Sequence, residues 1–388
     1  PMKFSYYLGH RIRPVTKEMT QWTVPLPMSR RPGSRRESVV LFYGDYFDAI
    51  ESFLSGNGKE ILIRALSSCE NACISEKEIE EISIIAEKHG EFYHPARLSV
   101  AAGGGKARHL VLNVAVSEPG KRIAQKEAEL IQRLQREFSF NYLPRIYGFG
   151  KASVRGKSFE IKAFLGEWFR GYHEFHVSAG QGVKKSGLIV WDPERGNVFL
   201  SEDQRYALYR ETAKVLTAYY NPESFEQIFP WHHAAGDFVV RIAVGSLTVR
   251  LVTVRNYIPL VNNEERDPVS ILEALLAFLL NLSIRNRLDR FDGTGEIAWA
   301  DNLTMEATIE GFFEALREKE NIPALSGTLD EFFRFYLSSL SLPVLYELFE
   351  TLVDTMPDHA PETPTVRAEL DRHIHEFFSC VRKFLKTA

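Results

Sequence analysis

Residues 230–238 read Pro230-Trp231-His232-His233-Ala234-Ala235-Gly236-Asp237-Phe238, with one apolar strand following at once and a second, Val249 to Val254, after it. A histidine, a glycine and an aspartate crowded onto a turn ahead of a hairpin make an expected active-site loop. Loops carried by rigid strands are where catalytic groups sit, and a buried aspartate is costly unless something uses it. A tight structural turn, with Asp237 accepting backbone N–H groups, fits the same residues.

Upstream of this turn the pattern changes several times. Phe92 to Ala101 and His109 to Val116 read as strands joined by the turn Gly103-Gly104-Gly105. Pro119-Gly120 opens a helix from about Lys121 to Phe138 with the apolar stripe Ile123, Leu130, Ile131, Leu134. Glu127 falls on that stripe and either has a cationic or hydrogen-bonding partner or reaches water from its edge. Strands at Ile146 to Val154 and Phe159 to Phe164 lead into an aromatic linker, Gly166 to His176. A strand at Leu188 to Trp191 and a helix from about Asp203 to Tyr220 precede the quoted turn. Beyond Pro268 the chain is helical apart from breaks at 289–302, 323–328 and 357–364.

Before residue 91 the chain reads differently. Residues 10–38 carry Arg11, Arg13, Lys17, Arg30, Arg31, Arg35 and Arg36 against Glu18 and Glu37, with four prolines, as in an extended basic arm. Such an arm either contacts phosphates or straps over the next domain as a solvated loop. Asp45 to Leu54 and Lys59 to Ser68 have helical spacing. Ser75 with Glu78 forms a capping box for a helix expected through His89, ended by Gly90. These segments predict an N-terminal helical extension.

With 388 residues and 45% hydrophobic content, the chain can bury a sizeable core in about two or three domains. A net charge of -4 gives no general attraction for nucleic acid or membrane. Cys69, Cys73 and Cys380 have no framework spacing, which favours a reducing compartment. Pro1 to Tyr7 lacks a signal pattern, and the run Ile271 to Leu282, broken by Glu273, is short for a bilayer span. Cytoplasmic residence is the expectation.

The element order, with Gly103 to Gly105, Glu127, the Gly166 to His176 linker and His233 to Asp237 in matching sequential places, resembles the protein-kinase-like fold. The resemblance is to its aminoglycoside and choline phosphotransferase branch and covers roughly residues 91 to 320. It implies an α+β, two-lobed protein with an N-terminal extension over residues 1–90. A small antiparallel sheet lobe would follow at 91–166 and a large helical lobe at 167–388. It further implies a nucleotide or small metabolite in the interlobe cleft, with ATP and magnesium as cofactors. Gly103, Gly104, Gly105, Asn113, Glu127 and Arg255 would bind the cofactor, and Asp237 and His233 would be catalytic.

This chain departs from that family where the chemistry resides. Asn113 stands where the strand lysine belongs, so Lys106, Lys121 or Lys126 would have to reach in. Phe238 to Ile242 offers no side-chain oxygen ligand after the aspartate, and Thr253 or Arg255 stands near the magnesium-binding acid. Three readings follow: a phosphotransferase with rearranged machinery, a pseudokinase binding a nucleotide, metabolite or protein partner, and a metal-dependent enzyme. The last would use His173, His176, His232, His233 and Asp237, with Glu174 nearby, to hold zinc or iron. Trp168, Phe169, Tyr172 and Phe175 either stack on a planar ligand or pack between lobes. The pair His373 and His375 reads as a solvated helix surface.

Overall fold

The computed structural model describes residues 2–9, 13–27, 40–70, 74–87, 90, 92–154, 156–157, 159–178, 187–193, 195–261 and 266–387, with 69 and 70 described for their backbone only. Residues 10–12 and 28–38 of the basic arm, with Arg11, Arg30, Arg31, Arg35 and Arg36, together with Cys73 and the side chain of Cys69, therefore lie outside the described residues. The architecture is α+β. It divides into two units, Pro1–Ser139 with Pro144–Arg170, and Phe140–Leu143 with Gly171–Ala388.

The first unit runs β1 (Lys3–Leu8), β2 (Arg13–Val15), α1 (Tyr43–Ser55), α2 (Lys59–Glu70), β3 (Ile79–Ala86), β4 (His94–Ala102), β5 (Arg108–Ala115), α3 (Glu118–Glu137), β6 (Ile146–Ser153) and β7 (Glu160–Glu167). Among the described residues its strands form one seven-stranded sheet in the order β2-β1-β3-β4-β5-β7-β6. Alternation places Ile82, Ile84, Leu98, Val100, Leu110 and Leu112 on one face, where they pack with Phe47, Phe53 and Leu62 of α1 and α2. Arg97, Ser99, His109, Val111 and Asn113 alternate with them and take the opposite face.

Residues before 91 are not simply a helical extension. They supply β1, β2 and β3 to the sheet, and β1 runs parallel to β3, so the sheet is not wholly antiparallel. The helix expected from Ser75 to His89 is the strand β3. The capping box is real, Glu78 accepting from both the Ser75 backbone N–H at 2.7 Å and its hydroxyl at 2.6 Å, but it closes only a single 3-10 turn, Glu76–Glu78. Four isoleucines follow in Ile79–Ala86. Their β-branched side chains are restricted in a helix, while β1 and β4 supply backbone partners on both sides.

Helix α3 begins where Pro119-Gly120 indicated, with the Ser117 hydroxyl accepting the Gly120 N–H at 3.1 Å. Its buried side holds Ala124, Glu127, Ala128, Ile131 and Leu134.

The second unit continues with β8 (Phe175–Ser178), β9 (Gly187–Asp192), β10 (Gly196–Phe199), α4 (Glu202–Ala218), β11 (Glu226–Ile228), β12 (Phe238–Ala243), β13 (Ser246–Leu251), β14 (Tyr257–Pro259), α5 (Pro268–Arg285), β15 (Leu288–Arg290), β16 (Ile297–Trp299), α6 (Asn302–Arg317), α7 (Leu329–Ser339), α8 (Leu342–Asp354) and α9 (Thr363–Thr387). Helix α5 is long and apolar enough to cross a bilayer by length and composition, yet 78% of it is buried inside the protein, as in a core helix. Helices α4 and α6 approach closely at Gly311, where a Cβ would lie 2.0 Å from the Arg210 carbonyl oxygen.

His373 is not on a solvated surface. It is fully buried on α9, its Nε2 lies 3.0 Å from the Ser283 hydroxyl, and its Nδ1 lies 3.3 Å from a terminal nitrogen of buried Arg287. Burial, and then the Arg287 cation, hold its pKa well below the usual imidazole value. Its neighbour His375 is exposed.

Candidate functional site

The turn before the hairpin is built as a short 3-10 segment, His233–Ala235, closed by Gly236 at φ +67°. Glycine is required there twice over. The left-handed backbone disfavours a side chain, and a Cβ would come within 2.8 Å of the Glu174 carboxylate. Strands β12 and β13 then pair with Phe238 opposite Leu251, and the ladder extends one step as the Val252 N–H donates to the Asp237 carbonyl at 2.8 Å.

This register brings Arg255 to Asp237. The guanidinium grips the carboxylate with two nitrogens, one to Oδ2 and the other to Oδ1 at 2.7 Å, and the His232 backbone N–H donates to Oδ2 at 2.8 Å. The Asp237 side chain is 1% exposed. A fork-to-fork pair of this kind occupies both oxygens and leaves the carboxylate poorly placed to accept a substrate proton.

His233 is equally enclosed, within the rings of Phe175, Tyr209, Trp231 and Phe238 at centroid distances of 5.3 to 5.9 Å. Asn286 fixes its tautomer. The Asn286 amide nitrogen donates to the Tyr209 carbonyl and to the Thr308 hydroxyl, so its oxygen, 3.0 Å from His233 Nε2, must be the acceptor. His233 therefore carries its proton on Nε2, and its buried Nδ1 has no partner among the described residues. Burial pushes its pKa below the usual value. His233 thus ties the turn to Asn286 at the C-terminal end of α5.

The outer side of the same turn borders a hollow of about 500 Å³ whose lining includes His232, Ala234, Ala235, Asp289, Arg290 and Glu362. Asp289 is its buried acid. It accepts from the Val177 N–H at 2.8 Å and the Arg290 N–H at 2.7 Å, with His176 Nδ1 at 3.4 Å. Burial lowers the His176 pKa, but Asp289 and Glu174 outweigh it, so the imidazole is held above its usual value. His232 moves the other way, lowered by burial and then by Arg285. Sequence reasoning passed over Asp289 because it lies in a stretch read only as a break between helices. The one available signal was its position next to an arginine at the edge of an apolar run.

The five residues of the metal reading do not converge. Among the described residues no group of three or more His, Cys, Asp or Glu side chains is placed to hold a metal ion. His173 lies 3.9 Å from Asp192 and is tied by its backbone to Val240, while His176, His233 and Asp237 have the partners just given.

In the first unit, the expected cofactor residues also have internal partners. The Gly103 and Gly105 N–H groups donate to the Glu78 and Ala102 carbonyls, and the Gly104 N–H donates to the Glu80 carboxylate at 3.0 Å. The turn thus presents a carboxylate where phosphate would need free donors. Glu127, 1% exposed, accepts the Tyr93 hydroxyl at 2.8 Å from the segment before β4. Asn113 is half-buried on β5, opposite Pro95 and Phe164. Lys121 pairs with Glu118 at 2.7 Å and lies over the Phe159 ring.

No protein-family model matches the chain, and no curated protein matches it. Among solved structures, WaaP in complex with acyl carrier protein aligns with a TM-score of 0.32 and 8% identity, over 69% of this chain and 86% of that chain.

Proposed function

We propose that this chain is a kinase-like, phosphotransferase-related protein that binds a nucleotide or small metabolite without transferring phosphate. The element order of the resemblance supports the architecture. The Asp237–Arg255 ion pair carries the functional reading. A catalytic aspartate must offer one oxygen to a substrate hydroxyl, and a magnesium site needs hard oxygen ligands free of competing cations. Here both carboxylate oxygens are bound to a guanidinium.

The other positions agree. Phe238–Ile242 contributes no oxygen donor, Thr253 and Arg255 replace an acid, and Asn113 brings no charge to phosphate oxygens. The donor set does not suit magnesium, so no step is routed through the metal. His233, locked to Asn286 inside an aromatic shell, serves the turn's shape.

The test pairs two measurements. Ligand binding to the native state raises the melting temperature by mass action, so nucleotides are screened with and without magnesium by thermal shift. Transfer of the ATP γ-phosphate is followed in parallel. The expected result is a shift that does not need magnesium and no phosphate transfer. Magnesium-dependent transfer that disappears in Asp237→Asn would overturn the reading.

A further inference from the structure

On the sheet face of the first unit that lies opposite α1 and α2, strand register sets Ser99 against His109 and Arg97 against Val111, so Arg97 and His109 are diagonal neighbours. Three observations single out this spot. Arg97 is held in one pose: its Nε donates to Glu87 at 2.9 Å and its guanidinium lies over the Trp168 ring at 5.4 Å. Its two terminal nitrogens have no hydrogen-bond partner among the described residues. Arg170, which follows Trp168 at the end of the segment after β7, is exposed and has no acidic partner among the described residues. His109 has a buried Nδ1 with no hydrogen-bond partner among them.

We propose that Arg97, Arg170 and His109 form a binding site for a phosphate group carried by a small ligand. The charges that face His109 are Arg97 from β4 and Arg170 from the segment after β7, while Glu87, after β3, neutralises part of Arg97. Among the described residues, two guanidinium groups against one carboxylate leave net positive charge, with planar donors of the geometry that phosphate oxygens accept. The orphaned imidazole nitrogen adds a third donor when protonated. Burial, then Arg97 and Arg170, hold the His109 pKa below its usual value. An anion between the two arginines removes their repulsion, so binding takes up a proton at His109 and tightens as pH falls. The glycine turn, with its donors satisfied and Glu80 beside it, is not this site.

This site is separate from Asp237 and from phosphate transfer, so its failure is distinguishable from that of the proposed function. Calorimetric titration with pyrophosphate and with inorganic phosphate, at pH 6 and pH 8, tests it. Wild type is expected to bind pyrophosphate more tightly at the lower pH. Arg170→Gln and His109→Gln should each weaken binding about tenfold or more, and His109→Gln should take up fewer protons on binding than wild type, the ligand's own ionisation being common to both. ADP and glucose 6-phosphate, run alongside, distinguish nucleotide from sugar-phosphate ligands. Arg170 is exposed, so its variant decides even if His109→Gln folds poorly. No binding of either anion to wild type, or binding unchanged in Arg170→Gln, would overturn the proposal.

Discussion

Replacing Arg255 by methionine would strand the Asp237 carboxylate. That carboxylate is 1% exposed, and Arg255 supplies two of the three hydrogen bonds it receives. Removing one partner of a buried ion pair costs about 3–5 kcal/mol, because the remaining charge is left uncompensated. Arg255 itself is 24% exposed, so water reaches part of the vacated space and the cost falls near the lower end, about 3 kcal/mol. In a unit of this size each kcal/mol moves the melting temperature by about 2–4 °C, so Arg255→Met should melt roughly 6–12 °C lower. The double replacement Asp237→Leu with Arg255→Met removes both charges and should recover part of that loss, leaving only the His232 N–H without an acceptor. Differential scanning fluorimetry and urea unfolding on the four proteins give the coupling energy. Additive single and double variants, or an Arg255→Met protein as stable as wild type, would refute the claim that this pair is structural. So would phosphate transfer appearing once Asp237 is released.

Three further outcomes are expected. His373 is buried and neutral, with its folded pKa below its unfolded value, so only the unfolded chain takes a proton as pH falls through about 6.5. Stability should drop by about 1.4 kcal/mol per pH unit from this group below that point, and urea titrations at several pH values should show a shallower slope for His373→Gln. His109, His232 and His233 act in the same direction and His176 in the opposite one, so the wild-type-minus-variant difference is the diagnostic quantity. Tyr93→Phe removes a donor from buried Glu127 and should cost about 1–3 kcal/mol in urea unfolding, with Tyr93→Phe in a Glu127→Leu background costing much less. Gly311→Ala places a methyl 2.0 Å from the Arg210 carbonyl and should destabilise by about 1–3 kcal/mol through separation of α4 and α6, whereas alanine at exposed Glu320, beyond α6, should be near neutral.

Elements whose signals are local were legible. The hairpin β12–β13 was read from an apolar strand directly after Asp237 and a second at Val249 to Val254, which the structure sets three residues earlier at Ser246–Leu251, and α3 from a proline near its start and a helical stripe. Elements defined by distant partners were not. Strand β1 pairs with β3 through Lys3 opposite Glu81, and nothing near residue 3 announces that neighbour. The Ser75–Glu78 cap looked like a helix start because a cap reports only one turn.

The same division holds at the candidate site. Spacing marked Asp237, His233 and Glu127 as polar groups set among apolar ones, and the resemblance to the kinase-like fold implied that Asn113 and Arg255 stand where phosphate transfer wants a lysine and an acid. Only the folded chain decided what those groups do. Asp237 and Arg255 lie 18 residues apart, and they meet because the hairpin register folds the chain back over that interval. Burial then removes competing water, and a carboxylate that local reasoning left open for chemistry becomes one half of an ion pair.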